Sequence, residues 1–164
     1  MPWKEEAVRL REICRNHGID TALERSRSGN GAHVWIFFDK PIEAKIARKF
    51  GAALLSKGAE TMHQRDFNTF DRMMPNQDEM PAGGMGSLIA LPLQGIPRKQ
   101  GNSVFVEDDW NVLPDQWGYL EQLKLLSQDI IEKKIAEWGV PTLPVMTDKD
   151  ETESEEKQIG RAHV

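Results

Sequence analysis

The densest run of chemically capable side chains is Arg25-Ser26-Arg27-Ser28-Gly29-Asn30-Gly31-Ala32-His33. Its two glycines permit a tight turn with positive φ, in which backbone N–H groups approach an anion closely. Ser28 adds a hydroxyl donor, and His33 an imidazole that exchanges its proton near neutral pH. Arg25 and Arg27 add planar, fork-shaped cations. Ser28, Gly29, Asn30, Gly31 and His33, with Arg25, thus form a candidate site for the phosphates of a nucleotide. The bland alternative is an ordinary hairpin turn with a satisfied histidine. The turn is not a P-loop, because no Gly-Lys-Ser/Thr follows it and the next element reads as a strand.

Two further clusters carry weaker signals. In Asp71-Arg72-Met73-Met74-Pro75-Asn76-Gln77-Asp78, the carboxylates of Asp71 and Asp78 suit a hard divalent metal; a solvated loop with an Asx turn is the alternative. Leu91-Pro92-Leu93-Gln94, followed by Arg98-Lys99-Gln100-Gly101-Asn102, offers Arg98 and Lys99 to the phosphates of a nucleic-acid strand; a surface loop is the alternative. Met73, Met74, Met80 and Met85 read as packing residues, Trp110 and Trp117 as core or helix anchors, and His17 and His63 as structural.

The elements that must position these residues follow from periodicity. Trp3, Ala7, Leu10 and Cys14 fall at helical spacing, predicting a helix over 3–17 that ends at Gly18. Cys14 lies on its apolar face, where a thiol is inert. A short strand over 21–26 and a turn over 27–32 precede a buried strand over 33–38, on which His33, Trp35 and Phe37 share one face. A helix then begins at Asp39-Lys40-Pro41, with Ile42, Ile46, Phe50 and Leu54 as its stripe. Residues 61–86 form a long loop, 87–93 and 103–107 read as strands, and one long helix runs from Asp115 to about Gly139. The order predicts an α+β fold, with an antiparallel-rich sheet and flanking helices.

Composition bounds the rest. The net charge of −5 conceals an asymmetry: residues 147–158 carry a net −4, and residues 21–57 a net +4. The acidic run reads as a disordered linker, and the basic middle attracts anions. No apolar stretch is long enough to span a bilayer, and the single cysteine excludes a disulfide framework, so a cytoplasmic setting is expected. Ile159–Val164 breaks the acidic composition, and its codons can be written as the start of a common sequencing adapter. The expected organisation is a domain over 1–140, a linker over 141–158 and adapter-derived residues over 159–164.

The clusters together resemble a known family. Ser26 through Trp35 is similar to the second motif of archaeo-eukaryotic primases. Met74-Pro75-Asn76-Gln77-Asp78, then Gly86 through Gln94, then Gln100 through Val106, resemble the primase domain of TOTE conflict systems, and Asp115-Gln116-Trp117 continues the likeness. It covers roughly residues 3–125. The resemblance implies part of an RRM-like primase-polymerase core that joins nucleoside triphosphates on a nucleic-acid template with Mg²⁺ or Mn²⁺. It implies His33 at the incoming triphosphate, Asp71 or Asp78 as the third-motif acid and metal ligand, and a fused or co-encoded helicase or nuclease as partner. The family's first motif, an Asp-x-Asp pair at a strand end, has no counterpart here. The only Asp-x-Asp is Asp148-Lys149-Asp150, inside the acidic run. The chain is therefore expected to be part of a primase-polymerase and inactive by itself. A non-catalytic nucleic-acid- or nucleotide-binding module is the competing expectation.

Overall fold

The apolar spacing at Ala7, Leu10 and Cys14 winds the first segment into helix α1 (Pro2–Asn16) in the computed structural model, which describes residues 2–61, 69–86 and 88–139. The helix ends as expected. Gly18 takes φ 72°, its N–H reaches the Arg15 carbonyl, and the Ile19 N–H reaches that of Cys14. This double closure satisfies carbonyls that the last turn would otherwise leave unpaired.

Strand β1 (Ala22–Arg25) follows, then β2 (Ala32–Trp35), and both pair antiparallel across the Ser26–Gly31 turn. A third strand, β3 (Val104–Val106), pairs antiparallel with β1, so the sheet order is β2-β1-β3 and the architecture is α+β. β2 is an edge strand, half exposed and ending at Trp35, unlike the buried strand over 33–38 that the sequence predicts. Beyond Trp35 the chain leaves the sheet to meet another partner: the Leu126 N–H donates to the Phe37 carbonyl, and the Asp39 N–H to that of Leu126. That pairing holds residues 37–39 away from helical geometry. Helix α2 (Ala44–Thr61) accordingly begins after Pro41 rather than at it, and Ile42 packs against the core from outside the helix.

The same pairing breaks the expected long helix in two. Helix α4 (Gln116–Gln122) stops at Leu123, whose backbone is extended, and helix α5 (Gln128–Trp138) starts at Ser127, whose hydroxyl accepts from the Ile130 N–H. Between them Leu126 is buried with Ile13, Cys14, Ile19, Phe50, Leu54 and Ile131. A second apolar cluster, Leu23, Val104 and Val106, packs one sheet face on Ala7 and Val8, so α1 serves both clusters.

Residues 88–93 form no strand, contrary to expectation: Leu88, Ile89 and Leu91 are exposed. Pro92 has no N–H to give a ladder, and Leu93 takes φ 63°. Short helix α3 (Gly95–Lys99) carries Arg98 and Lys99, which sequence patterning placed in a loop. The described part of the long loop, 69–86, contains neither helix nor strand. Met80, Met85 and Trp117 are exposed rather than packed, whereas Trp110 stands edge-on to Trp3. His17 stands edge-on to Trp138, and burial pushes the Cys14 thiol up to about 12. His63, the acidic run with Asp148 and Asp150, and Ile159–Val164 lie outside the described residues. Among the described residues no helix is long and apolar enough to cross a membrane.

Candidate functional site

The β1–β2 turn is closed by its own backbone. The Ser26 N–H donates to the Gly31 carbonyl, and the Gly29 N–H to that of Ser26, both at 2.9 Å. The Asn30 N–H donates to Ser28 Oγ, and the two serine hydroxyls lie 3.3 Å apart. Of the two glycines that permit positive φ, Gly29 adopts it (79°) and Gly31 does not. A Cβ on Gly29 would fall 2.9 Å from Asn102 Oδ1. Gly29→Ala therefore combines left-handed strain with a clash and should cost about 1–2 kcal/mol, read as a lower denaturant midpoint in equilibrium unfolding.

Asn102 brings the third cluster to the turn. Its N–H donates to the Pro97 carbonyl, and the Gly101 N–H to that of Arg98, so the end of α3 leads directly to the side chain that touches Gly29. Arg98 and Lys99 are exposed at that end, and Arg27 is exposed on the turn. Arg25 differs. Its Nη1 donates to the Gly101 carbonyl at 2.7 Å and its Nη2 to that of Trp110 at 2.6 Å. These bonds make Arg25 the clamp between β1 and the segments after α3 and β3, a use of the residue not foreseen from its sequence neighbours.

His33 stands beside the turn with its ring 51% exposed. Its Nδ1 lies 3.0 Å from Glu24 Oε2, the register partner across the hairpin. The Trp35 Nε1–H donates to the same oxygen at 2.6 Å. Trp35 stands edge-on to His33 and stacks on Phe37, so these three share a face as expected. The bond to Glu24 raises the His33 pKa above its ordinary value, partial burial opposes that shift, and the Glu24 charge adds to it. Because the folded-state value is raised, the pair's contribution to stability is complete below the unfolded imidazole pKa and is lost as pH rises through the folded one.

The acidic candidates are placed differently. Asp78 Oδ1 accepts from Arg48 Nε at 2.8 Å, and Arg48 also holds the Pro75 carbonyl, which ties this loop to α2. Asp71 is 80% exposed and pairs with its neighbour Arg72. Among the described residues no three His, Cys, Asp or Glu side chains gather as a metal site. Among the described residues Asp71 and Asp78 are therefore not part of a three-ligand group. Glu24 was not singled out from the sequence, and Asn102 only as the end of the third cluster. The signal for Glu24 was an acid between Leu23 and Arg25 on a strand whose hairpin register sets it opposite His33. An open cleft of about 590 Å³ lies elsewhere, lined among others by Arg11, Arg15, Asp108 and Tyr119. There both arginines pair with Asp108, and Glu107 and Asp109 line the same cleft, so its acids outnumber its cations.

A three-stranded antiparallel sheet with flanking helices is consistent with a primase-family domain. The family model of the TOTE conflict system archaeo-eukaryotic primase domain matches residues 1–134, and the chain belongs to that family. No curated protein matches it. Membership carries a primase-like function, with nucleic acid and nucleoside triphosphates as the substrate classes. Domains of this type are generally metal-dependent.

Proposed function

We propose that this chain supplies the triphosphate-binding part of a template-directed primase-polymerase. The Ser26–Gly31 turn and His33 receive the phosphates of the incoming nucleotide. The observation that supports this most is the juxtaposition of an exposed Ser28 hydroxyl, on a turn whose Ser26, Gly29 and Asn30 N–H groups donate to its own oxygens, with a half-exposed histidine carried on Glu24. Exposed Arg27 on the turn, with exposed Arg98 and Lys99 on the helix that leads to Asn102, adds positive charge for a phosphate or a template strand.

Arg25 acts in this reading as the clamp that sets the turn against Gly101 and Asn102. Asp71, 80% exposed and paired with its sequence neighbour Arg72, is a better third-motif acid than Asp78, which Arg48 ties to α2. Metal-dependent transfer would draw on the acid pair that this sequence lacks outside its acidic run.

Calorimetric titration of the chain with a nucleoside triphosphate and Mg²⁺ tests it. Binding should be measurable and weak, and His33→Ala should weaken it by roughly tenfold or more, since a charge-assisted hydrogen bond contributes about 1.5–3 kcal/mol. Equal affinity in wild type and His33→Ala would remove the site.

A further inference from the structure

We propose that Glu24 is the positioning residue for His33: its carboxylate fixes the imidazole through Nδ1, so that Nε2 is the atom presented to a phosphate oxygen. The inference rests on the triphosphate reading above and names how its histidine is held. Glu24 lies on the central strand, its side chain only 3% exposed. A carboxylate buried so deeply is costly unless donors surround it. Here one oxygen, Oε2, takes two: His33 Nδ1 at 3.0 Å and Trp35 Nε1 at 2.6 Å.

A carboxylate oxygen accepts, so the proton sits on Nδ1. The tautomer of the neutral ring is thereby set, with Nε2 left as the ring's other polar atom. When the ring takes a second proton, Nε2 becomes a charged donor, and the nearby carboxylate favours that state. Trp35 restrains the same oxygen and stands edge-on to the ring at 6.3 Å between centroids, so carboxylate, indole and imidazole hold one another's orientation. Hairpin register makes the arrangement possible, since Glu24 and His33 are direct partners and Trp35 lies one step along the same face. Glu24 touches no substrate in this scheme; it acts through His33.

The test is a double-mutant cycle on nucleoside triphosphate affinity, using Glu24→Gln, His33→Ala and both together, with ring nitrogens followed by long-range ¹H–¹⁵N correlation. Glu24→Gln should weaken binding roughly three- to tenfold in the wild-type background and have no effect in the His33→Ala background. The His33 pKa should fall toward its ordinary value in Glu24→Gln. Wild-type protein above that pKa should show the Nδ1–H tautomer, a measurement that does not require the variant to fold. An Nε2–H tautomer in wild type, or an equal loss from Glu24→Gln with and without His33, would overturn the positioning role while leaving the triphosphate site standing. Absence of any binding by wild type would overturn both.

Discussion

The 164-residue chain is expected to synthesise no primer on any template, with any nucleotide, in Mg²⁺ or Mn²⁺. Phosphoryl transfer needs carboxylates that hold metal against the triphosphate and the attacking hydroxyl, together with donors that position the phosphates. The turn and His33 can serve as donors. No acidic group of three gathers among the described residues, Asp78 is engaged by Arg48, and the sole Asp-x-Asp lies at Asp148–Asp150 within an acidic run. Metal stabilisation of the transition state is on the order of several kcal/mol, so its loss removes about three or more powers of ten in rate. A gel-based extension assay with labelled nucleotide checks this. Robust product that disappears in His33→Ala would show that the chain does contain the metal-holding acids.

The largest stability effect is expected at Leu126. Its side chain is almost wholly buried among residues from α1, α2 and α5, and its backbone bridges to residues 37–39. Leu126→Ala deletes the side chain from the junction of three helices and should cost about 2–5 kcal/mol, the range for emptying a packed leucine site. Chemical unfolding of wild type and variant measures it. By contrast, Leu125→Ala, one residue away and exposed, should change stability little. Equal losses at the two positions would mean that the segment between α4 and α5 is not anchored as described.

Leu126 also shows where sequence patterning fails. Apolar residues continue at helical spacing through 120–131, so nothing local interrupts the helix except Ser127, a good N-cap residue. The break comes from a partner more than eighty residues earlier in the chain, the Phe37–Asp39 backbone. Residues 88–93 fail for the opposite reason. Their composition is strand-like, but Pro92 and the left-handed Leu93 prevent a ladder. Elements set by local rules were legible: α1 with its Gly18 stop, the Ser26–Gly31 hairpin, and β3.

The candidate site divides in the same way. His33, Trp35 and Phe37 could be placed on one face because strand alternation is local. Glu24 could not be paired with His33 until the hairpin register was known, and Asn102 could not be placed at Gly29 without the fold. Arg25 was legible as a cation beside the turn. That both its terminal nitrogens hold backbone carbonyls 76 and 85 residues away depends on tertiary structure.

The central claim, that triphosphate binds at the Ser26–His33 turn, is tested most directly by mapping amide shifts as a nucleoside triphosphate is added to ¹⁵N-labelled chain. Saturable shifts are expected at Gly29, Asn30 and Gly31, with the His33 ring nitrogens moving in step and the Arg11–Asp108 cleft unchanged. Shifts centred on Arg11, Arg15 and Tyr119, with the turn silent, would contradict it.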